Sequence, residues 1–84
     1  MTYHVLIEQR VVKSLAKIPE KDQERIMSEL LKLEKNPRPI GSKKLIGRNG
    51  WRIRIGNYRV IYEIDDKVFK ILVIDAGHRK DIYR

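Results

Sequence analysis

The sequence predicts an α+β fold: two N-terminal helices, forming an αα-hairpin, pack on one face of a small antiparallel β-sheet in the order β-α-α-β-β-β. Three observations predict it. Apolar spacing changes from period two to period 3.6 after Ile7 and returns to two at Trp51. Gly56-Asn57 divides an alternating stretch in the way a two-residue hairpin turn does. Asn36-Pro37 and the Gly-containing segment that follows separate the helical half from the strand half. With 84 residues and no internal repeat or linker, the chain makes a single domain over 1–84.

Residues 3–7 alternate and are β-rich, which sets Tyr3, Val5 and Ile7 on one side of a strand and leaves His4 at the surface. From Glu8 the spacing is helical, and Val11, Val12, Leu15 and Ile18 share a face until Pro19 interrupts it. Pro19 suits the first turn of a second helix, where Glu20, Asp22 and Glu24 meet the positive end of the helix dipole. Ile26, Met27, Leu30, Leu31 and Leu33 form its apolar stripe, and Asn36-Pro37 ends it. Residues 38–50, RPIGSKKLIGRNG, read as a basic loop that Leu45 and Ile46 anchor to the core. The Gly-Lys-Ser order of a nucleotide-binding loop is absent from it.

The stretch 51–62, WRIRIGNYRVIY, reads as a hairpin that pairs Ile55 with Tyr58, Arg54 with Arg59, Ile53 with Val60, Arg52 with Ile61 and Trp51 with Tyr62. Trp51, Ile53, Ile55, Tyr58, Val60 and Tyr62 then face the core, and Arg52, Arg54 and Arg59 face away. A second turn at Asp65-Asp66 leads into a strand over 68–74. If that turn has two residues, Phe69, Ile71 and Val73 join the core face and Lys70 the arginine face; a three-residue turn reverses the assignment. The first strand lies at an edge or pairs with the last. Residues 75–84 form a terminal tail of the kind that is usually frayed.

Net charge is +8, and its distribution is uneven. Residues 1–37 sum to +1 and residues 63–84 to 0, whereas 38–62 hold seven basic groups and no acid. A polyanionic partner is expected, and nucleic acid fits better than a membrane because no basic amphipathic helix carries the charge. Lys43, Lys44, Arg48 and Lys70 are candidate nucleic-acid contacts beside the arginines. Like charges facing each other on a sheet cost stability, so opposing Arg54 to Arg59 gains the fold nothing. The face reads either as a solvated polar surface or as a preorganised phosphate site, for which the guanidinium fork is well matched. The chain has no cysteine, which excludes disulfides and thiolate metal sites. No stretch reads as a signal peptide or membrane span, and a cytoplasmic protein is expected. No metal cluster or cofactor motif is present in the sequence.

Lys44-Leu45-Ile46-Gly47, then Tyr58-Arg59-Val60-Ile61-Tyr62, then Gly77-His78-Arg79 through Tyr83, occur in this order and spacing. In these motifs, and over nearly its whole length, the chain resembles the RelE toxins of the bacterial and archaeal RelE/ParE toxin superfamily. The resemblance implies an mRNA endoribonuclease that acts in the ribosomal A site, with the ribosome and mRNA as partners and a cognate antitoxin that silences it. It implies catalytic roles for Arg52, Arg54, Arg59, Arg79 and Tyr83. The position of Arg52 is often lysine in the family, where it is proposed as the base that takes the 2′-hydroxyl proton. An arginine is effectively never deprotonated, so Arg52 reads as a phosphate clamp and the base is left unassigned. His78 is a candidate for that base or for the acid, since an imidazole ordinarily titrates near pH 6.5; a structural role is the other reading of a lone histidine. A ParE-like inhibitor of DNA gyrase and a noncatalytic nucleic-acid-binding module are the alternative functions.

Overall fold

A computed structural model of the protein describes residues 2–78. The elements run β1 (His4–Ile7), α1 (Gln9–Leu15), α2 (Glu20–Lys32), β2 (Lys43–Lys44), β3 (Trp51–Ile55), β4 (Tyr58–Asp65) and β5 (Lys70–His78). All five strands form one sheet, in the order β1-β5-β4-β3-β2. The first strand lies at an edge and also pairs with the last. That pairing is parallel, so the sheet is mixed and not wholly antiparallel as expected from the sequence. The two helices between β1 and the rest of the chain supply the long crossover that a parallel neighbour requires.

The core lies between the helices and one face of this sheet. Val11 and Leu15 of α1 and Ile26 and Leu30 of α2 meet Ile53, Ile55, Val60, Tyr62, Ile71, Val73 and Ala76, all buried. Tyr3, Val5, Ile7 and Trp51 pack around them, as period-two spacing requires. The helical stripes are narrower than the sequence implied. Val12 is 50% exposed, Met27 41% and Leu31 56%, because a helix lying on a flat sheet buries its central i, i+4 row and leaves flanking positions at the rim.

The β3–β4 hairpin has the expected register at all five pairs. Gly56 opens its turn at φ +60°, a conformation glycine enters without steric cost. The next turn differs from expectation. Asp65 still pairs with Lys70, and residues 66–69 make the connection, with the Asp65 carboxylate accepting the Lys67 N–H at 3.0 Å. Phe69 therefore sits in the turn, at φ 54°, and its ring meets Tyr3 edge-on instead of entering the strand. Ile71 and Val73 do reach the core. The segment 75–78, expected in the tail, instead continues β5.

Two devices tie the loops down. Tyr62, fully buried, donates its hydroxyl to the Pro37 carbonyl at 2.8 Å, and this burial pushes its pKa up. Just past the end of β4, Asp66 accepts from both terminal Arg38 guanidinium nitrogens, at 2.7 and 3.3 Å, and from the Tyr3 hydroxyl at 2.6 Å. Arg38 first, and Tyr3 second, hold the Asp66 carboxyl below its ordinary range. Ile46 does not anchor its loop as expected, being fully exposed; only half-buried Leu45 does, closing over Gly50.

Candidate functional site

The helices cover one face of the sheet, and alternation sends Arg52, Arg54 and Arg59 to the other. Arg54 and Arg59 stand directly opposite each other in adjacent strands. β2 extends this arrangement by one strand: Lys43 pairs with Arg52, which places its side chain on the arginine face. Gly41, Lys43, Arg52, Arg54 and Arg59 line a single depression of about 360 Å³. Among the described residues, no carboxylate forms an ion pair with Lys43, Arg52 or Arg54. Two like-charged cross-strand pairs side by side, Lys43–Arg52 and Arg54–Arg59, oppose folding.

Lys43 was legible in the sequence only as one charge in a basic loop. A strand of two residues has no periodicity to detect, and its register came from pairing with β3. The neighbouring Lys44 points to the other face, where its Nζ lies 5.8 Å from the centroid of the Trp51 ring. Arg38 sits over that same ring at 5.3 Å. Arg48 lies in the exposed loop before β3, outside the depression.

Lys70 shares the open face, yet it stands at the far end of β4, opposite Asp65. Asp65 lies six positions after Arg59, roughly 20 Å along a strand. There Lys70 lines a different hollow, together with Glu63, Asp65 and Asp66. Charges of both signs line that hollow, Lys44 and Lys67 beside the three carboxylates.

His78 lies on the helix side. Strict alternation from Lys70 would carry residue 78 to the arginine face, but β5 holds an extra residue: Ile61 pairs with Asp75 and Tyr62 with Val73, leaving Ile74 as a β-bulge. Arg10 of α1 donates to the Ile74 carbonyl and so satisfies the acceptor that the bulge exposes. Beyond the bulge the faces exchange. Ala76 enters the core, and His78 meets Tyr58 edge-on, with ring centroids 5.8 Å apart. The Tyr58 hydroxyl donates to Asp22 of α2 at 3.1 Å; partial burial, and then this carboxylate, push its pKa up. Asp22, Arg25, Tyr58 and His78 line a second, smaller hollow between α2 and the hairpin turn. The sheet thus separates His78 from the arginine cluster. Arg79 and Tyr83 lie outside the described residues.

The sequence matches the family model for the ParE toxin of type II toxin-antitoxin systems over residues 5–83. No curated protein matches it by sequence. Among solved structures, the chain is similar to the archaeal RelE–RelB complex from Pyrococcus horikoshii, with 31% identity, a TM-score of 0.81, and 94% of this chain and 97% of that one covered. It is also similar to the RelB–RelE antitoxin–toxin complex from Methanococcus jannaschii, at 29% identity, TM-score 0.74 and coverage of 93% and 94%. The RelBE2 toxin-antitoxin complex from Mycobacterium tuberculosis shares the fold, at 23% identity, TM-score 0.84 and coverage of 94% and 100%. With the family model spanning nearly every residue and the RelE fold reproduced, the chain belongs to the RelE/ParE superfamily of type II toxin-antitoxin toxins.

Proposed function

We propose that this toxin is a ribosome-dependent endoribonuclease that cleaves mRNA in the A site and is silenced by a cognate antitoxin. The observation that supports the reading is the convergence of Lys43, Arg52, Arg54 and Arg59 in one depression on the open sheet face. Similarity to the Pyrococcus RelE at 31% identity supports it further. In this reading the 2′-oxygen of one nucleotide attacks the adjacent phosphorus, the bond to the 5′-oxygen breaks, and a 2′,3′-cyclic phosphate and a 5′-hydroxyl remain. Arg52, Arg54 and Arg59 bind the non-bridging oxygens, where preorganised cations act most strongly on the charge that develops in the phosphorane. Arg79 binds phosphate and Tyr83 orients a base, as the family resemblance implies. His78, on the helix side, supports the hairpin through Tyr58.

The ParE family model favours a second reading, inhibition of DNA gyrase. One experiment compares them. Purified toxin is added to ribosomes programmed with a defined mRNA, in parallel with gyrase and supercoiled plasmid. New mRNA ends carrying 5′-hydroxyls, absent without ribosomes and abolished by the antitoxin, are the expected result. Intact mRNA together with arrested supercoiling would reverse the assignment.

A further inference from the structure

Among the described residues that line the arginine depression, one can change its protonation in water. Arg52, Arg54 and Arg59 remain cations at any working pH, whereas a primary amine can release its proton. Asp22 and His78, which could otherwise handle a proton, lie on the helix side of the sheet. Glu63 and Asp65 lie at the far end of β4, and Asp75, opposite Ile61, accepts the Ala76 N–H and lies 3.9 Å from Arg10. Lys43 is the exception: its amine shares the depression with all three guanidinium groups and faces Arg52 across the β2–β3 pair.

We propose that Lys43 is a catalytic residue, the general base of the cleavage reaction, held by β2 against the strand where Arg52 cannot serve. The inference rests on the ribonuclease reading given above. The neutral amine of Lys43 takes the proton from the 2′-hydroxyl and becomes an ammonium. The 2′-oxygen forms its bond to phosphorus as the phosphorus–5′-oxygen bond breaks, and the departing oxygen takes a proton from water. The ammonium then returns its proton to the hydroxide so formed, which closes the cycle. While protonated, Lys43 adds a fourth cation beside the phosphate, so the same side chain binds in one state and reacts in the other. The short β2 gains a purpose from this: two residues of pairing suffice to fix the direction of one amine.

The test is single-turnover cleavage of ribosome-bound mRNA between pH 6 and 9 by wild type, Lys43→Arg and Lys43→Ala. Lys43→Arg keeps the charge and removes the ability to become a neutral base. For wild type the logarithm of the rate is expected to rise with pH at a slope near one, following the neutral amine. Lys43→Arg is expected to lose about 100-fold in rate, within the range usual for general bases, and to lose the slope. Added ethylamine is expected to restore part of the rate and the slope to Lys43→Ala, which a merely structural lysine would not allow. Thermal melts establish that both variants fold. If wild type cleaves and Lys43→Arg keeps its rate and slope, hydroxide or another group is the base and the proposal is wrong. If wild type leaves the mRNA intact at every pH, the ribonuclease reading itself fails, and the role of Lys43 with it.

Discussion

Arg54 has opposed effects on stability and activity. It is exposed, faces Arg59 across the hairpin and has no acidic partner among the described residues. Arg54→Ala removes a like-charge contact and some methylene packing, so stability is expected to change by less than about 1 kcal/mol, and to rise at low salt where screening is weak. Cleavage is expected to fall about 100-fold or more, because one preorganised cation leaves the developing phosphorane. Urea melts at two salt concentrations, beside the ribosome assay, measure both. An active variant would refute the phosphate role of this face. Asp66 shows the opposite behaviour, since it is exposed and well paired. Its lowered pKa means that its stabilising contribution is full above the ordinary carboxyl range and disappears as pH falls through the folded-state value. Asp66→Asn is therefore expected to melt below wild type at pH 7, with the gap closing in acid. A gap that persists at pH 2 would mean that packing, and not the charge of Asp66, holds the Arg38–Tyr3 cluster.

At the scale of elements, the connection from α2 to β2 depends on one buried hydrogen bond. Tyr62→Phe leaves the buried Pro37 carbonyl without its donor while changing the core volume little. A loss of about 1–3 kcal/mol is expected in urea unfolding, the usual cost of an orphaned buried acceptor. The β5 bulge is the other decisive element. By inserting Ile74 it exchanges the faces of the strand, so that Ala76 can enter the core and His78 can stack on Tyr58. One inserted residue changes which side chains share the face of the arginines. Arg10, bonded to the bulge carbonyl, links that exchange to α1.

For the whole molecule, the sheet divides the chain chemically. Its covered face is apolar, and its open face grades from the cations of β2, β3 and the start of β4 to the mixed charges around Glu63, Asp65 and Lys70. Binding at the cationic end should therefore depend steeply on salt. If Lys43, Arg52, Arg54 and Arg59 each displace a counterion, the logarithm of affinity for a short single-stranded RNA is expected to fall with the logarithm of salt at a slope of about −3. Lys70→Ala should leave that slope unchanged, and Arg54→Ala should reduce it by about 0.7. Fluorescence anisotropy across a salt series tests this, and an equal effect of Lys70→Ala would show that the whole face binds.

The sequence by itself determined whatever depends on neighbours along the chain. Period-two spacing and Gly56-Asn57 set the hairpin register pair for pair, because a two-residue turn leaves one alignment that buries Ile53, Val60 and Tyr62 together. The same alternation put Arg52, Arg54 and Arg59 on one face, and the charge block at 38–62 marked the cationic end. The tertiary structure decided what distant segments settle between them. Lys43 and Lys44 are alike in sequence, and only pairing with β3 sends one to the arginines and the other to Trp51. Met27 and Leu31 are as apolar as Ile26 and Leu30, but the row that α2 turns to the sheet chose which pair is buried. His78 was assigned from its neighbours in the chain, whereas its face depends on a bulge whose unpaired carbonyl is satisfied by Arg10, 64 residues away. No local spacing encodes such a contact, because its free energy exists only once α1 lies against β5.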